Sequence, residues 1–208
     1  HRANVTQTIS ANKTNFVITA GEDGFVKFWK KQAEGIVFVK MFRAHLGPVT
    51  CMAATNDGLL LATISEQDKE LKIFEIVNFD MISMTDLPFA PSNVEFISRT
   101  GNIIPIVAIT DTNSADIYTY HGKEAEQLEK FQVHRKPVTQ MKYNETYNGV
   151  VSIDAGGIIE IWDPTTRKLP SAVSFKYKTE TNLYDIAKNK TTSLSLTISP
   201  NGELFGSV

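Results

Sequence analysis

Histidine is the side chain best placed to act as a general base or a metal ligand near neutral pH, so the four histidines of this 208-residue chain are where chemistry would first be sought. None of them belongs to an HExxH pair, and His121 and His134 have no further ligand residues at metal-binding spacing. No GxxxxGK phosphate loop, GxSxG elbow, CxxC pair or EF-hand loop occurs either. The single cysteine, Cys51, excludes an intramolecular disulfide and reads as a small core residue within an apolar strand pattern. The sequence therefore offers no catalytic, metal or cofactor-binding residues, and no cofactor is implied.

The spacing of the histidines points instead to a structural role. His1 lies 28 residues before Trp29, His45 lies 29 before Phe74, and His134 lies 28 before Trp162. The stretch ITAGEDGFVKFW, two short β-patterned runs about a Glu-Asp-Gly turn, ends at Trp29 and recurs as LATISEQDKELKIF, AITDTNSADIYTY and VVSIDAGGIIEIW. The closing aromatics, Trp29, Phe74, Tyr120 and Trp162, follow one another at 45, 46 and 42 residues. A period of roughly 40 to 45 residues with four short strands per unit marks a WD-type β-propeller. The predicted fold class is all-β, an incomplete WD-repeat propeller of four blades plus part of a fifth that is interrupted at residue 208. Approximate units are 1–44, 45–89, 90–133, 134–178 and 179–208.

In WD repeats the loop histidine, a turn aspartate, a middle-strand Ser or Thr and the Trp indole form one buried polar network in which each member satisfies another. Unit one carries the full set in His1, Thr19, Asp23 and Trp29. Unit two keeps His45 and Asp68 but ends in Phe74, and unit three ends in Tyr120. Unit four keeps His134, Ser152 and Trp162, with Gly156 where the aspartate is expected, and Asp154 is read as a solvated turn residue. Side chains next to these positions should project from the loops and turns. Arg2, Glu22, Leu46, Gln67, Arg135 and Lys136 are thus the candidate partner-binding rim. Phe16, Phe28, Trp29, Phe74 and Trp162 are expected between blades rather than stacked on a ligand.

Within the third unit, strands are predicted over 94–98 and 103–110, after a proline-punctuated connection from Pro88 to Pro91, with 121–130 a charged surface excursion. Residues 174–178 can form an outer strand. The N-capping run Thr179 to Asn182 precedes a short helical insertion near 182–188. The inner-strand runs VTCMAAT, PVTQMKY and LSLTIS carry almost no carboxylate or histidine, which argues against a propeller hydrolase with a central site.

A net charge of −2 carries no basic footprint, so direct nucleic-acid binding is not indicated. No apolar run approaches the ~20 residues needed to span a bilayer. The sequons at Asn4, Asn12, Asn144 and Asn189 would matter only in a secreted chain, and the lone cysteine with no signal segment in view favours an intracellular reading.

The strings VKFWKK, EGIVFVKMFRAHLG, FEIVNFDMI and FKYKTETNLYDIAK go beyond what a generic repeat requires. Through them the chain resembles, over nearly its whole length, the WD-repeat region of the peptidyl-prolyl isomerase domain and WD repeat-containing proteins, nuclear cyclophilins associated with the spliceosome. That resemblance implies a nuclear protein-interaction scaffold acting in pre-mRNA splicing, with spliceosomal proteins or peptides as partners and chromatin or histone-tail recognition as the alternative. Members carry a cyclophilin-type isomerase domain C-terminal to the propeller. No such domain is expected within these residues, so none of the family's catalytic positions can be carried over.

Overall fold

The structure is a computed structural model and describes residues 1–11, 13–99, 101, 105–122, 128–170, 188–189 and 195–208. Strands β1 (Val5–Ala11), β2 (Phe16–Gly21), β3 (Phe25–Gln32) and β4 (Gly35–Arg43) pair in order as one antiparallel sheet. β5 (Cys51–Ala54), β6 (Leu60–Ser65), β7 (Glu70–Glu75) and β8 (Met81–Asp86) form the second sheet. β9 (Pro91–Phe96), β10 (Val107–Asp111), β11 (Ile117–Tyr120) and β12 (Glu129–Phe131) form the third. The fourth contains β13 (Val138–Asn144), β14 (Gly149–Asp154) and β15 (Ile159–Trp162), and a last pair joins β16 (Leu196–Ile198) to β17 (Phe205–Ser207). The first strands β1, β5, β9, β13 and β16 lie successively side by side, which makes the sheets the blades of an incomplete all-β propeller.

Period-2 alternation decides which residues meet between blades. In β2 the buried residues Phe16, Ile18 and Ala20 alternate with half-buried ones, and they join Phe28 of β3 and Met52, Leu61 and Phe74 of the second blade in one cluster. Aromatic rings bind that interface. Phe28 meets Phe16 and Phe79 edge-on at 6.3 and 5.1 Å, and Phe42 lies 4.7 Å from Phe74 across the blade boundary. Equivalent clusters separate blades two from three and three from four, so no blade buries its apolar faces alone.

Polar side chains on the inner strands then stitch each blade to the next. The Gln7 amide donates to the Met52 carbonyl and accepts from the Met52 N–H, at 2.9 and 2.8 Å. Asn93 donates to the Thr139 carbonyl, and Glu95 accepts from Tyr143 N–H and from the Lys142 ammonium. Asn144 donates to the Gly202 carbonyl in the turn between β16 and β17. Backbone groups that an open inner edge would leave bare are paired in this way.

Blade three differs in detail from the predicted strands. β9 begins at Pro91, three residues earlier than predicted, because a proline with no N–H is tolerated at the first residue of a strand. β10 begins only at Val107. The expected outer strand over 174–178 lies outside the described residues, as does the helical insertion near 182–188 apart from Lys188. Among the described residues no helix is long and apolar enough to cross a membrane.

Gln7→Ala should expose the cost of one inter-blade stitch. It strands both Met52 backbone groups, so urea unfolding should show a loss of about 1 to 3 kcal/mol, whereas Glu34→Ala, in the exposed turn between β3 and β4, should change stability by less than about 0.5 kcal/mol.

Candidate partner-binding rim

Asp23 organises the first blade's end of the rim. It sits in the turn between β2 and β3, and its carboxylate accepts from the Arg2 N–H at 2.9 Å while facing His1 Nδ1 at 2.9 Å. His1 Nε2 meets Thr19 Oγ1 at 2.9 Å, and the same hydroxyl accepts from the Trp29 indole at 3.0 Å. One proton arrangement satisfies the whole chain. The indole donates to Thr19, the Thr19 hydroxyl donates to His1 Nε2, and Nδ1–H donates to the carboxylate.

The second blade repeats this geometry with fewer donors. His45, fully buried, meets Thr63 Oγ1 at 2.9 Å through Nε2, and its Nδ1 faces Asp68 at 3.6 Å and Glu70 at 3.8 Å. Phe74 has no N–H to offer Thr63, and Lys72 compensates Glu70 at 2.7 Å. Burial, with the Lys72 charge second, pushes the His45 pKa down from 6.5 to about 4, so the ring is neutral at physiological pH. Asp68 in turn holds the loop by accepting from Leu46 N–H at 2.7 Å and Gly47 N–H at 2.9 Å.

In the fourth blade the structure corrects the expectation for Asp154. It is buried rather than solvated, faces His134 Nδ1 at 3.4 Å, and accepts from Gly156 N–H and Ile158 N–H at 2.8 and 3.0 Å. The carboxylate that the repeat phase places at 156 is supplied from the end of β14. Gly156 makes this possible, since a Cβ there would come within 3.1 Å of both the Asp154 carboxylate and the Lys136 side chain. His134 Nε2 meets Ser152 Oγ at 2.7 Å, and Trp162 donates to the same hydroxyl at 3.0 Å. Burial also lowers the His134 pKa.

Blade three abandons the polar network. Ile109, paired with Tyr118, takes the middle-strand position, and the Phe89 ring stacks on Tyr118 with centroids 3.9 Å apart. With no histidine to satisfy, these rings fill the site, while Thr110 and Ser92 pair their hydroxyls at 2.7 Å and the nearby Thr112 hydroxyl is buried without a partner.

These clamps leave the flanking side chains outside. Arg2, Glu22, Leu46, Gln67, Arg135 and Lys136 are all exposed, Leu46 by 76%. Gln67 lies against Gly47, and Lys136 lies over Gly156, so both rest on the adjoining loop or turn. Arg43 was not singled out by the sequence, yet its guanidinium donates to the Leu46 and His45 carbonyls at 2.8 and 3.2 Å. The loop carrying Leu46 is thus held from both sides. Neighbouring blades share this framework, because Gly24, at φ +75°, presses against the loop and its carbonyl accepts from Ala44 and His45 N–H. Any side chain at 24 would come within 2.3 Å of the His45 carbonyl oxygen.

The inner strands line an open cleft of about 760 Å³ whose lining includes Gln7, Cys51, Asn93 and Lys142. Blade three adds a carboxylate that the inner-strand runs did not reveal, Glu95, at 2.7 Å from Lys142. That pair keeps Lys142 protonated, with its pKa raised by the Glu95 charge, and burial raises the Cys51 pKa. Both shifts oppose nucleophilic use.

A family model for the WD domain, G-beta repeat, matches residues 36–75, which run from the outer strand of blade one through the third strand of blade two. The chain is 42% identical over its full length to peptidylprolyl isomerase domain and WD repeat-containing protein 1 of Pongo abelii, covering 32% of that protein. It matches the WD-repeat region of that protein. Peptidyl-prolyl cis-trans isomerase CYP71 of Arabidopsis thaliana is 39% identical over 99% of the chain and is covered to 33%. Peptidyl-prolyl cis-trans isomerase 9 of Schizosaccharomyces pombe is 30% identical over 90% of the chain and is covered to 31%. The chain thus spans about a third of the length of the curated relatives it matches, and their isomerase part lies outside the matched segment.

Neutral buried histidines make stability pH-dependent with a definite sign. The folded-state pKa of His45 is about 4 against 6.5 ordinarily, so the unfolded chain binds more protons between those values. Stability should be complete above pH 6.5 and fall as the pH drops from there towards about 4, ahead of the ordinary carboxylate range. Melting temperatures at pH 7.5, 6.5, 5.5 and 5.0 (~0.5 to 1 unit apart) will test this. In the double variant His45→Asn, His134→Asn the melting temperature should be lower at neutral pH and the slope between those values should flatten.

Proposed function

We propose that this chain is a protein-docking scaffold whose loop-and-turn rim presents Arg2, Glu22, Leu46, Gln67, Arg135 and Lys136 to a protein or peptide partner. The observation that carries the reading is the set of aspartate clamps. Asp23 and Asp68 tie down the backbone N–H groups of Arg2, Leu46 and Gly47, so the side chains they leave exposed are held in place before a partner arrives. Isomerase chemistry in longer proteins of this kind belongs to another part of the polypeptide, and the propeller's role is to bring that part to its target. A nuclear site of action on the pre-mRNA splicing machinery is supported by the sequence strings shared with that family.

Reversing the charge character of the rim tests this. The triple variant Glu22→Lys, Gln67→Lys, Lys136→Glu should reduce recovery of spliceosomal proteins from nuclear extract by roughly tenfold or more, as loss of a binding hot spot does, with no change in melting temperature. Undiminished recovery by a folded variant would place the docking surface elsewhere on the propeller.

A further inference from the structure

The second blade gathers three possible metal ligands that no sequence interval reveals. His45 comes from the loop between β4 and β5, Asp68 from the turn between β6 and β7, and Glu70 from the start of β7. One ligand atom of each lies within 4.8 Å of the other two, a grouping found nowhere else among the described residues. The His45 side chain is completely enclosed, yet its Nδ1 has no hydrogen-bond partner. A polar nitrogen buried in that state is costly. In blade one His1 Nδ1 bonds Asp23 directly at 2.9 Å, whereas His45 Nδ1 stands off Asp68 at 3.6 Å and Glu70 at 3.8 Å. Those separations are long for an N–H···O bond. They approach the ~3.3 to 3.5 Å between two ligand atoms that share a tetrahedral zinc ion at ~2.0 to 2.1 Å.

The loss of the blade-two indole decides which ring nitrogen is available. In blade one the Trp29 indole donates to Thr19, which turns the hydroxyl proton towards His1 Nε2 and leaves the ring proton on Nδ1. Phe74 has no N–H, so the Thr63 hydroxyl can accept from His45 Nε2–H across their 2.9 Å contact. Nδ1 then presents a lone pair to two carboxylates, an arrangement that is repulsive until a cation lies between them. A partner that fixes the tautomer of the far nitrogen is the usual support for a metal-bound histidine. Asp68 is supported likewise by the Leu46 and Gly47 N–H groups, at 2.7 and 2.9 Å, with a further lone pair left on each oxygen. Lys72 reaches Glu70 at 2.7 Å and donates to the Ala44 carbonyl, so it offsets one of the two carboxylate charges and leaves the other for an ion. Glu70 is half-buried and gives the group a side open to solvent.

We propose that His45 Nδ1, Asp68 and Glu70 form a zinc(II) site with water as the fourth ligand. An imidazole together with two carboxylates suits zinc better than the all-oxygen sets of calcium and magnesium. The ion ties the loop that carries Leu46 to β7, and so stiffens this part of the rim.

Calorimetric titration of the metal-stripped full chain with zinc chloride, paired with melting curves, tests the site. The unaltered chain should bind one ion at micromolar concentration and melt at a higher temperature with zinc present. Glu70→Gln keeps the side-chain size and the bonds to Thr63, Leu46 and Gly47, and should bind zinc roughly tenfold or more weakly. Lys72→Met removes the competing ammonium and should bind several-fold more tightly, which structural damage would not produce. His121→Ala, at an exposed histidine outside the group, should bind as the unaltered chain does. Absence of single-site binding, undiminished binding by Glu70→Gln, or no tightening in Lys72→Met would each overturn the assignment.

Discussion

The arrangement rests on one interaction, a carboxylate in or beside a turn accepting hydrogen bonds from the loop that leads into the same blade. Asp23 and Asp68 do this while facing His1 and His45, whereas Asp154 faces His134 but accepts from Gly156 and Ile158 N–H of its own turn. Charge-assisted bonds of this kind are among the stronger ones a protein can make. The clamp joins segments about 20 residues apart in sequence, since His1 and Asp23 or Leu46 and Asp68 become neighbours only when the blade has formed. Rim geometry is therefore a consequence of blade formation.

Cohesion between blades comes from two layers with different physics. Interdigitated aromatic and aliphatic side chains supply the non-directional part, as in the Phe16, Phe28, Phe42, Phe74 and Phe79 group that spans blades one and two. The inner-strand amides supply the directional part. Gln7 and Asn93 reach the backbone of the next blade's first strand and so fix the relative height of adjacent blades, which packing alone specifies less sharply. Because the loop of blade two also rests on Gly24 of blade one, displacing one blade disturbs the rim of its neighbour.

The repeat was legible because a four-stranded blade needs a nearly constant number of residues, and the closing aromatics Trp29, Phe74, Tyr120 and Trp162 mark that interval whether or not each is a tryptophan. Strand pairing followed from alternation and from turn residues such as Asp23-Gly24. The Asp154 clamp was not legible. Its spacing from Trp162 breaks the repeat phase by two residues, and only the folded turn shows a strand-end carboxylate held by Gly156 and Ile158 N–H so that it faces the His134 ring. Glu95 escaped notice for a related reason, since its partner Lys142 lies 47 residues away on another blade.

Residue types and intervals by themselves determined that the chain would be all-β, that it would divide into propeller units, and that His1, His45 and His134 would recur in phase with those units, because periodicity and side-chain inventory are local properties. Tertiary structure alone decided which carboxylate faces His1, His45 and His134, and that blade three replaces this network with the Phe89 and Tyr118 stack. Those outcomes depend on distances between residues remote in sequence. Such distances are set by how successive blades pack, and no local pattern encodes them.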